Sequence, residues 1–184
     1  PTHLRLPDGT PTNAVFGFLS MIFKAIDDLS PTHVCVCFDK KEPTFRHDLF
    51  PEYKGNRVDP PDEFKQQVPH LFEVVSQCGI SSASSIGYEA DDIIGTLSSQ
   101  CASANTKVLI MTGDHDALQL VTEQVSVVMN KKGVSNFIVF TPEKVKEKYG
   151  FGPENIVDFK SLKGDPSDNI PGVKGIGDKT ATQL

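Results

Sequence analysis

Eight acidic side chains lie in small groups along the chain, and their grouping suggests a bound metal ion. They are Asp39, Glu89, Asp91, Asp92, Asp114, Asp116, Asp165 and Asp168. Carboxylates that lie close together repel one another unless a cation is placed among them. Ligand sets made only of oxygen atoms favour hard ions such as Mg²⁺ or Mn²⁺. The pattern therefore predicts a divalent-metal site.

Local spacing supports this prediction, although each group also has a simpler explanation. Glu89 and Asp92 are three residues apart and would share one helix face, with Asp91 in the same turn. Asp114 and Asp116 could reach one site from a single turn. On the other hand, the helix dipole alone favours acidic residues in a first helical turn, and aspartates are common in turns. These simpler explanations would all have to hold together to exclude a metal site.

The predicted elements alternate between strands and helices. Strands are expected at 33–38, 80–86, 108–111, 125–129 and 134–140, the last two forming a hairpin around Lys131-Lys132-Gly133. Helices are expected at 11–29, 62–79, 87–102, 142–149 and 153–162, with a short one after Asp116. This order predicts an α/β fold with a mostly parallel sheet, in which sites lie at the carboxyl ends of strands. Asp39 and Asp114 follow two of these strands directly.

Composition sets the class of protein. The chain has 184 residues, of which 38% are hydrophobic and 23% charged, as in an ordinary globular domain. No apolar run approaches the ~18 residues of a membrane span, and no secretory signal opens the chain. The four cysteines lack zinc spacing, so we expect reduced residues in the core. Because the chain begins at Pro1 and not at Met, we expect a piece of a longer protein.

Charge distribution says more about a partner than net charge does. A net charge of −6 taken alone argues against a nucleic-acid-binding protein. The segment from Lys40 to Arg57, however, contains five basic residues and three acidic ones. It has no periodicity, and we expect it to be an exposed excursion. Near the end of the chain, residues 169–180 combine glycines with Lys174 and Lys179. A glycine-rich turn before a helix exposes backbone N–H groups that can bind phosphate without reading bases.

Several motifs together resemble the 5′-nuclease domains of bacterial DNA polymerase I and the wider flap-endonuclease family. They include Phe38-Asp39, Thr44-Phe45-Arg46-His47, Tyr53-Lys54-Gly55-Asn56-Arg57, Gly87-Tyr88-Glu89-Ala90-Asp91-Asp92, Thr112-Gly113-Asp114-His115-Asp116 and the stretch from Gly164 to Gly177. They occur in the family's order and span nearly the whole chain. The resemblance implies a PIN-like α/β fold with a helical arch and a C-terminal helix–hairpin–helix element.

The resemblance also implies a role for each matching residue. Asp39, Glu89 and Asp91 would form a first metal site with Asp92 adjacent, and Asp114, Asp116, Asp165 and Asp168 a second. Arg46, Tyr53, Lys54 and Arg57 would lie in the arch region, where Lys54 and the two arginines would act on the scissile phosphate and Tyr53 would stack on a base. The duplex backbone would be held by Gly172, Val173, Lys174, Gly175, Ile176, Gly177 and Lys179.

The activity implied is structure-specific 5′-3′ exonuclease and flap-endonuclease cleavage of DNA in replication and repair. Two Mg²⁺ or Mn²⁺ ions, about 4 Å apart, would activate water and stabilise the leaving oxygen. K⁺ would sit at the helix–hairpin–helix element. Residues 1–141 would be the nuclease core, with the arch at about 40–60, and 142–184 an incomplete DNA-binding element. The partners would be DNA with 5′ flaps, nicks or ends and no membrane.

The same resemblance sets the expected context. We expect a monomer, a polymerase domain in the full-length chain, and a cytoplasmic, nucleoid-associated location, or an organellar one in a eukaryote. Two departures stand out: an Asp-ending first strand of the family is expected upstream of Pro1, and the last helix stops just after it starts. Two alternatives remain open. One is a module of the same fold that binds branched DNA without cutting it. The other is an aspartate-based phosphatase built on Asp39, which Lys41 disfavours because that family has a second Asp there.

Overall fold

The computed structural model describes residues 3–130 and 137–184, which form two compact units. Within these described residues, the first unit consists of 3–38 and 58–83, and the second of 39–57, 84–130 and 137–184. The tip of the predicted hairpin, Lys131-Lys132-Gly133, lies outside the described residues. None of the described helices is long and apolar enough to cross a lipid bilayer.

The first unit contains three helices and a short parallel sheet. Helices α1 (Asn13–Leu29), α3 (Asp62–Lys65) and α4 (Val68–Gln77) belong to it, and strand β1 (Cys35–Cys37) pairs in parallel with β2 (Ser81–Ala83). Buried Gln67 accepts a 2.8 Å hydrogen bond from the Ala14 N–H and so ties the start of α1 to the start of α4. The ring of Phe38 stacks on Phe72 at 4.0 Å.

The second unit contains a three-stranded sheet and the remaining helices. Strand β3 (Val108–Met111) is parallel to β4 (Val125–Asn130), and β4 is antiparallel to β5 (Phe137–Phe140). The helices are α2 (Phe45–Leu49), α5 (Ala90–Cys101), α6 (Pro142–Tyr149), α7 (Ile156–Lys163) and α8 (Asp178–Gln183). Short 3₁₀ segments occupy His115–Leu120, Pro153–Asn155 and Pro166–Asp168, and β6 (Gly164–Asp165) pairs with β7 (Ile170–Pro171).

A continuous apolar core holds the second unit together. Its fully buried members include Leu118, Val127 and Val145, which come from the 3₁₀ segment, the sheet and α6. Each such side chain contributes ~1.5–3 kcal/mol by leaving water. Because β3 and the 3₁₀ segment are both anchored in this core, the turn between them, which carries Asp114, has fixed ends.

The α/β alternation and the parallel pairings β1–β2 and β3–β4 confirm the expected fold class. Two expectations are wrong. Residues 40–60 are not simply an exposed excursion, because they contain the short helix α2 and the buried residues Thr44 and Tyr53. Cys35, Cys78 and Cys101 are free thiols, but they are exposed and not in the core. The apolar character of cysteine therefore did not predict whether these side chains are buried.

Candidate metal centre

The N-terminus of α5 directs a group of carboxylates into one region of the second unit. Glu89 is the N-cap, and a capping box joins it to Asp92: the Glu89 N–H donates to the Asp92 carboxylate at 2.9 Å, and the Glu89 carboxylate accepts from the Asp92 N–H. Such reciprocal bonds satisfy backbone donors that a helix start leaves free. The next N–H, of Ala90, donates to Asp39 at 2.7 Å. This bond brings the residue after β1 to the start of α5.

Lys54 and Tyr53 bind the Glu89 carboxylate. The Lys54 ammonium group lies 2.8 Å from both carboxylate oxygens, and the Tyr53 hydroxyl lies 3.1 Å from one of them. The same hydroxyl is 3.1 Å from the Asp168 carboxylate. Burial, together with the negative charges of Glu89 and Asp168, raises the pKa of Tyr53, so the phenol keeps its proton and acts as the donor between two carboxylates.

Asp168 is held by the segment that carries Tyr53. Arg57 forms an ion pair with its carboxylate, and the Lys54 N–H donates to its backbone carbonyl at 2.9 Å. Lys54 has φ +56°, a left-handed conformation that is uncommon for a residue with a side chain. Its contacts on both sides stabilise this conformation. Strain of this kind is concentrated at functional sites.

Arg46 and Asp92 form a two-bond ion pair on the other side of the α5 N-terminus. The two terminal guanidinium nitrogens of Arg46 each donate to a different Asp92 oxygen at 2.7 Å. Hydrogen bonds from Arg46 lower the pKa of Asp92. In the structure both Asp92 oxygens accept hydrogen bonds, from Arg46 and from the Glu89 N–H, so Asp92 links Arg46 to the start of α5.

A second carboxylate group gathers around Lys160, which the sequence analysis did not single out. The Lys160 ammonium group lies 2.6 Å from Asp116 and 2.8 Å from Asp165. Burial raises the pKa of Asp116, and the charges of Asp114 and Asp165 add to that effect while Lys160 opposes it. Partial burial acts in the same direction at Asp165, but hydrogen bonds from Lys160 and Ser167 lower the pKa of Asp165 to about 2. Lys160 therefore serves as a shared counter-ion.

Three carboxylates remain without a basic partner. Within residues 3–130 and 137–184, no lysine or arginine forms an ion pair with Asp39, Asp91 or Asp114. Partial removal from water raises the pKa of Asp91, and the next causes are the negative charges of Asp114, Asp39 and Glu89. Asp114, Asp39 and Glu89 thus lie within electrostatic range of Asp91, and Lys54, which acts in the opposite direction, only partly balances their charge.

The donor set of this region fits a hard divalent cation, although its present geometry is not a closed cage. All the converging ligands are carboxylates, which suit Mg²⁺ and Mn²⁺. No group of three or more His, Cys, Asp or Glu side chains among the described residues is placed to hold a metal ion as it stands. Lysine and arginine occupy much of the carboxylate surface in this structure. A cation would therefore bind where compensation is poorest, around Asp91.

A cavity of about 380 Å³ opens beside the carboxylates. It lies between α5 and the 3₁₀ segment His115–Leu120, and its polar lining includes Arg46, Asp91, Asp92 and Asp116. Asp91 and Asp116 come from the two carboxylate groups, so the cavity reaches both. It provides space for a ligand next to the acidic side chains.

The C-terminal segment folds as a compact turn between α7 and α8. Val173 and Ile176 close a turn through a 3.0 Å backbone bond, with Gly175 at φ +86° as its third residue. Gly172 lies so close to the backbone at the end of α7 that a Cβ on it would be only 2.2 Å from the Lys163 carbonyl carbon. This position therefore has no room for a side chain. Of the residues expected to bind DNA here, all are exposed apart from half-buried Ile176: Gly172, Val173, Lys174, Gly175, Gly177 and Lys179.

One expected role conflicts with the structure. The side chain of Tyr53 is only 6% exposed and packs edge-on against His47, so it offers no open face for a base. The stacking role of Tyr53 was implied by the family resemblance, and a motif match does not reveal whether a side chain is buried. Lys160 was missed because it lies in an ordinary helical pattern, and only its spacing of five residues before Asp165 links it to the acidic groups.

Two sequence families match consecutive parts of the chain. Residues 1–150 match the family "5′-3′ exonuclease, N-terminal resolvase-like domain". Residues 151–184 match "5′-3′ exonuclease, C-terminal SAM fold". The boundary between the two matches falls between α6 and the 3₁₀ segment Pro153–Asn155.

Relatives and solved structures agree with these matches. The chain is 49% identical over 181 residues to DNA polymerase I of Mycobacterium bovis and 47% identical over 176 residues to that of Bacillus subtilis, covering 98% and 96% of this chain. It spans about a fifth of each relative, since 20% of either is covered. A complex of a bacteriophage T5 flap endonuclease variant with DNA and metal ions superposes with a TM-score of 0.76 at 25% identity, covering 90% of this chain and 64% of that chain. The expected fold is thereby confirmed.

Proposed function

The chain belongs to the 5′-3′ exonuclease family, and from that premise we propose that it hydrolyses phosphodiester bonds at 5′ ends and flaps of DNA with divalent metal ions. The observation that carries the proposal is the set of Asp39, Asp91 and Asp114. Among the described residues, none of the three forms an ion pair with a lysine or arginine, although Asp39 and Asp114 lie within electrostatic range of Asp91. Negative charge of this kind is costly unless a cation balances it.

We assign the first metal to Asp39, Asp91 and Asp114, with Glu89 able to join when Lys54 leaves it. The second would be held by Asp116, Asp165 and Asp168, so Asp114 moves to the first group relative to the assignment that the resemblance implied. When bound, such ions lower the pKa of water and stabilise charge on the leaving oxygen. Mg²⁺ or Mn²⁺ suits these ligands, and the bound metal ions of the T5 complex support a metal requirement.

Basic side chains of the centre would bind the scissile phosphate. Lys54 balances Glu89 in the structure, and we propose that it exchanges this carboxylate for an oxygen of the scissile phosphate. Arg57, exposed beside Asp168, could act in the same way. Arg46 instead keeps α5 in place through Asp92. Lys54 and Arg57 would stabilise the negative charge that grows on the phosphate during the reaction.

The turn between α7 and α8 would hold the duplex. Its exposed Lys174 and Lys179 and the backbone N–H groups of Gly175 and Gly177 would offer phosphate contacts without base recognition. K⁺ bound by backbone carbonyls there belongs to the same proposal. Specificity would then follow the shape of the DNA, a single-stranded 5′ arm beside a duplex, and binding would weaken steeply with salt.

The wider context is also a proposal. We propose a core at 1–141 with its arch at about 40–60, a DNA-binding element at 142–184, and a polymerase domain in the full-length protein, as in the two relatives. A monomer acting in replication and repair, in the cytoplasm and near the nucleoid, is consistent with those bacterial relatives.

Cleavage of a labelled 5′-flap substrate tests the function. The full-length protein should cut the flap with Mg²⁺ and not with EDTA, and Asp91→Asn should reduce the rate at least ~100-fold, because Asp91 is central to the unbalanced charge. Asp158→Asn, an equally conservative change at an exposed carboxylate of α7, is the matched control and should cut normally.

The same assay separates the alternatives. Tight flap binding without cutting under any divalent ion would favour a binding module, for which the ion pairs of Lys54, Arg57 and Lys160 supply a physical basis. Hydrolysis of a small phosphomonoester without DNA cleavage would favour a phosphatase. Either result would refute the proposed nuclease.

A further inference from the structure

Two exposed aromatic rings lie against each other beside the carboxylates of α5. Phe45 and Tyr88 are 41% and 51% exposed, with ring centroids 5.8 Å apart. Among the described residues of the second unit they are the only exposed Phe or Tyr side chains. Isolated exposed apolar residues are ordinary, but the contact between these two rings sets them apart. We call this pair the aromatic platform.

The platform is held in place by its neighbours. The Phe45 N–H donates to the Gly87 carbonyl at 3.1 Å, which fixes the start of α2 against the residue before Tyr88. The Arg46 guanidinium lies 4.7 Å from the Phe45 ring centre and is itself fixed by Asp92. A ring held in this way loses little conformational entropy when a ligand stacks on it.

The location of the platform connects it to the proposed reaction. Tyr88 directly precedes Glu89, and Phe45 directly precedes Arg46, so each ring belongs to a segment that already carries a residue of the candidate centre. A ligand bound here would meet aromatic surface and the Arg46 guanidinium group, and Tyr88 directly precedes Glu89, the carboxylate that Lys54 binds. A nucleotide offers both a flat π-face and a negatively charged phosphate, so it matches this combination.

On the basis of the proposed function, we propose that Phe45 and Tyr88 bind an unpaired nucleobase of the 5′ arm next to the scissile phosphate. A base inside a duplex has neighbours on both faces, whereas an unpaired base has a free face to stack on a ring. Stacking on aromatic side chains tolerates any sequence, because every base has a π-face. The platform would therefore select for single-stranded character and place the phosphate near the carboxylates.

The platform is tested by measuring DNA affinity when substitutions in the protein are combined with abasic sites in the unpaired arm. The full-length protein is bound to flap substrates in EDTA, and a single abasic site is moved through the unpaired arm one nucleotide at a time. Wild type should lose ~5-fold or more in affinity at one position near the junction, as expected for one lost stack. Phe45→Leu and Tyr88→Leu should bind intact DNA ~5-fold or more weakly and show no further loss at that position.

Phe23→Leu provides the matched control, since Phe23 is 45% exposed and lies on α1. It should respond to the abasic site as wild type does. If the two platform variants also respond as wild type does, or if no arm position affects wild type, the platform proposal is wrong. Flap cleavage by wild type in the same preparation would leave the proposed function standing, whereas absence of both binding and cleavage would refute the two together.

Discussion

Replacing Tyr53 with phenylalanine tests whether this residue links carboxylates or binds a base. The change keeps the ring and removes the hydroxyl that lies 3.1 Å from both Glu89 and Asp168. If Tyr53 were mainly a stacking surface, Tyr53→Phe would change little. If it is the proton donor between buried Glu89 and partly buried Asp168, the folded state should lose stability.

The expected size of the loss follows from the contacts. Hydrogen bonds to charged groups contribute ~1.5–3 kcal/mol. Both bonds are longer than the usual ~2.7–2.8 Å for O–H···O, and each carboxylate keeps a cation, Lys54 or Arg57. We therefore expect Tyr53→Phe to lower the free energy of unfolding by ~1–2 kcal/mol. For a chain of this size that corresponds to a Tm lower by roughly 2–8 °C.

Urea unfolding in EDTA measures this loss without a metal contribution. Tyr88→Phe is the matched control, because it removes an exposed hydroxyl and should alter stability by less than ~0.5 kcal/mol. Flap affinity of Tyr53→Phe, measured well below its Tm, should stay within ~2-fold of wild type. Unchanged stability combined with clearly weaker DNA binding would refute the linking role and restore the stacking role.

Two further predictions concern backbone contact and charge. Gly172→Ala should lower the free energy of unfolding by ~2–3 kcal/mol, because its Cβ would overlap the backbone of Lys163, whereas Gly177→Ala has open space and should be nearly neutral in the same urea titration. Lys160→Met should lower Tm in EDTA, because two carboxylates lose their shared cation, and the gain in Tm on adding Mg²⁺ should become larger. Lys163→Met is the control, and an equal gain in Tm for the two variants would contradict this prediction.

The sequence was informative where chemistry depends on near neighbours. As the strand pattern predicted, Asp39 follows β1 and Asp114 follows β3, and the acidic run of Glu89, Asp91 and Asp92 marks the start of a helix. The hairpin formed by β4 and β5 also followed from local alternation, although its tip lies outside the described residues. Periodicity and turn chemistry act over a few residues, so they are readable without a fold.

The remaining features depend on contacts between residues far apart in the chain. Lys160 lies 44 positions after Asp116, and Tyr53 lies 115 positions before Asp168, so no local pattern reports either contact. The ion pairs decide which carboxylates are already balanced and which are not. Burial of Tyr53 likewise depends on packing that forms only in the folded chain.

The central claim is that unbalanced charge around Asp91 binds a divalent cation. Crystals of the full-length protein grown with Mn²⁺, with anomalous diffraction recorded at the manganese edge, test this claim most directly. We predict a peak within ~2.5 Å of a carboxylate oxygen of Asp91 and of at least one of Asp39 and Asp114. Ordered Mn²⁺ bound elsewhere, with no peak among these three side chains, would contradict it.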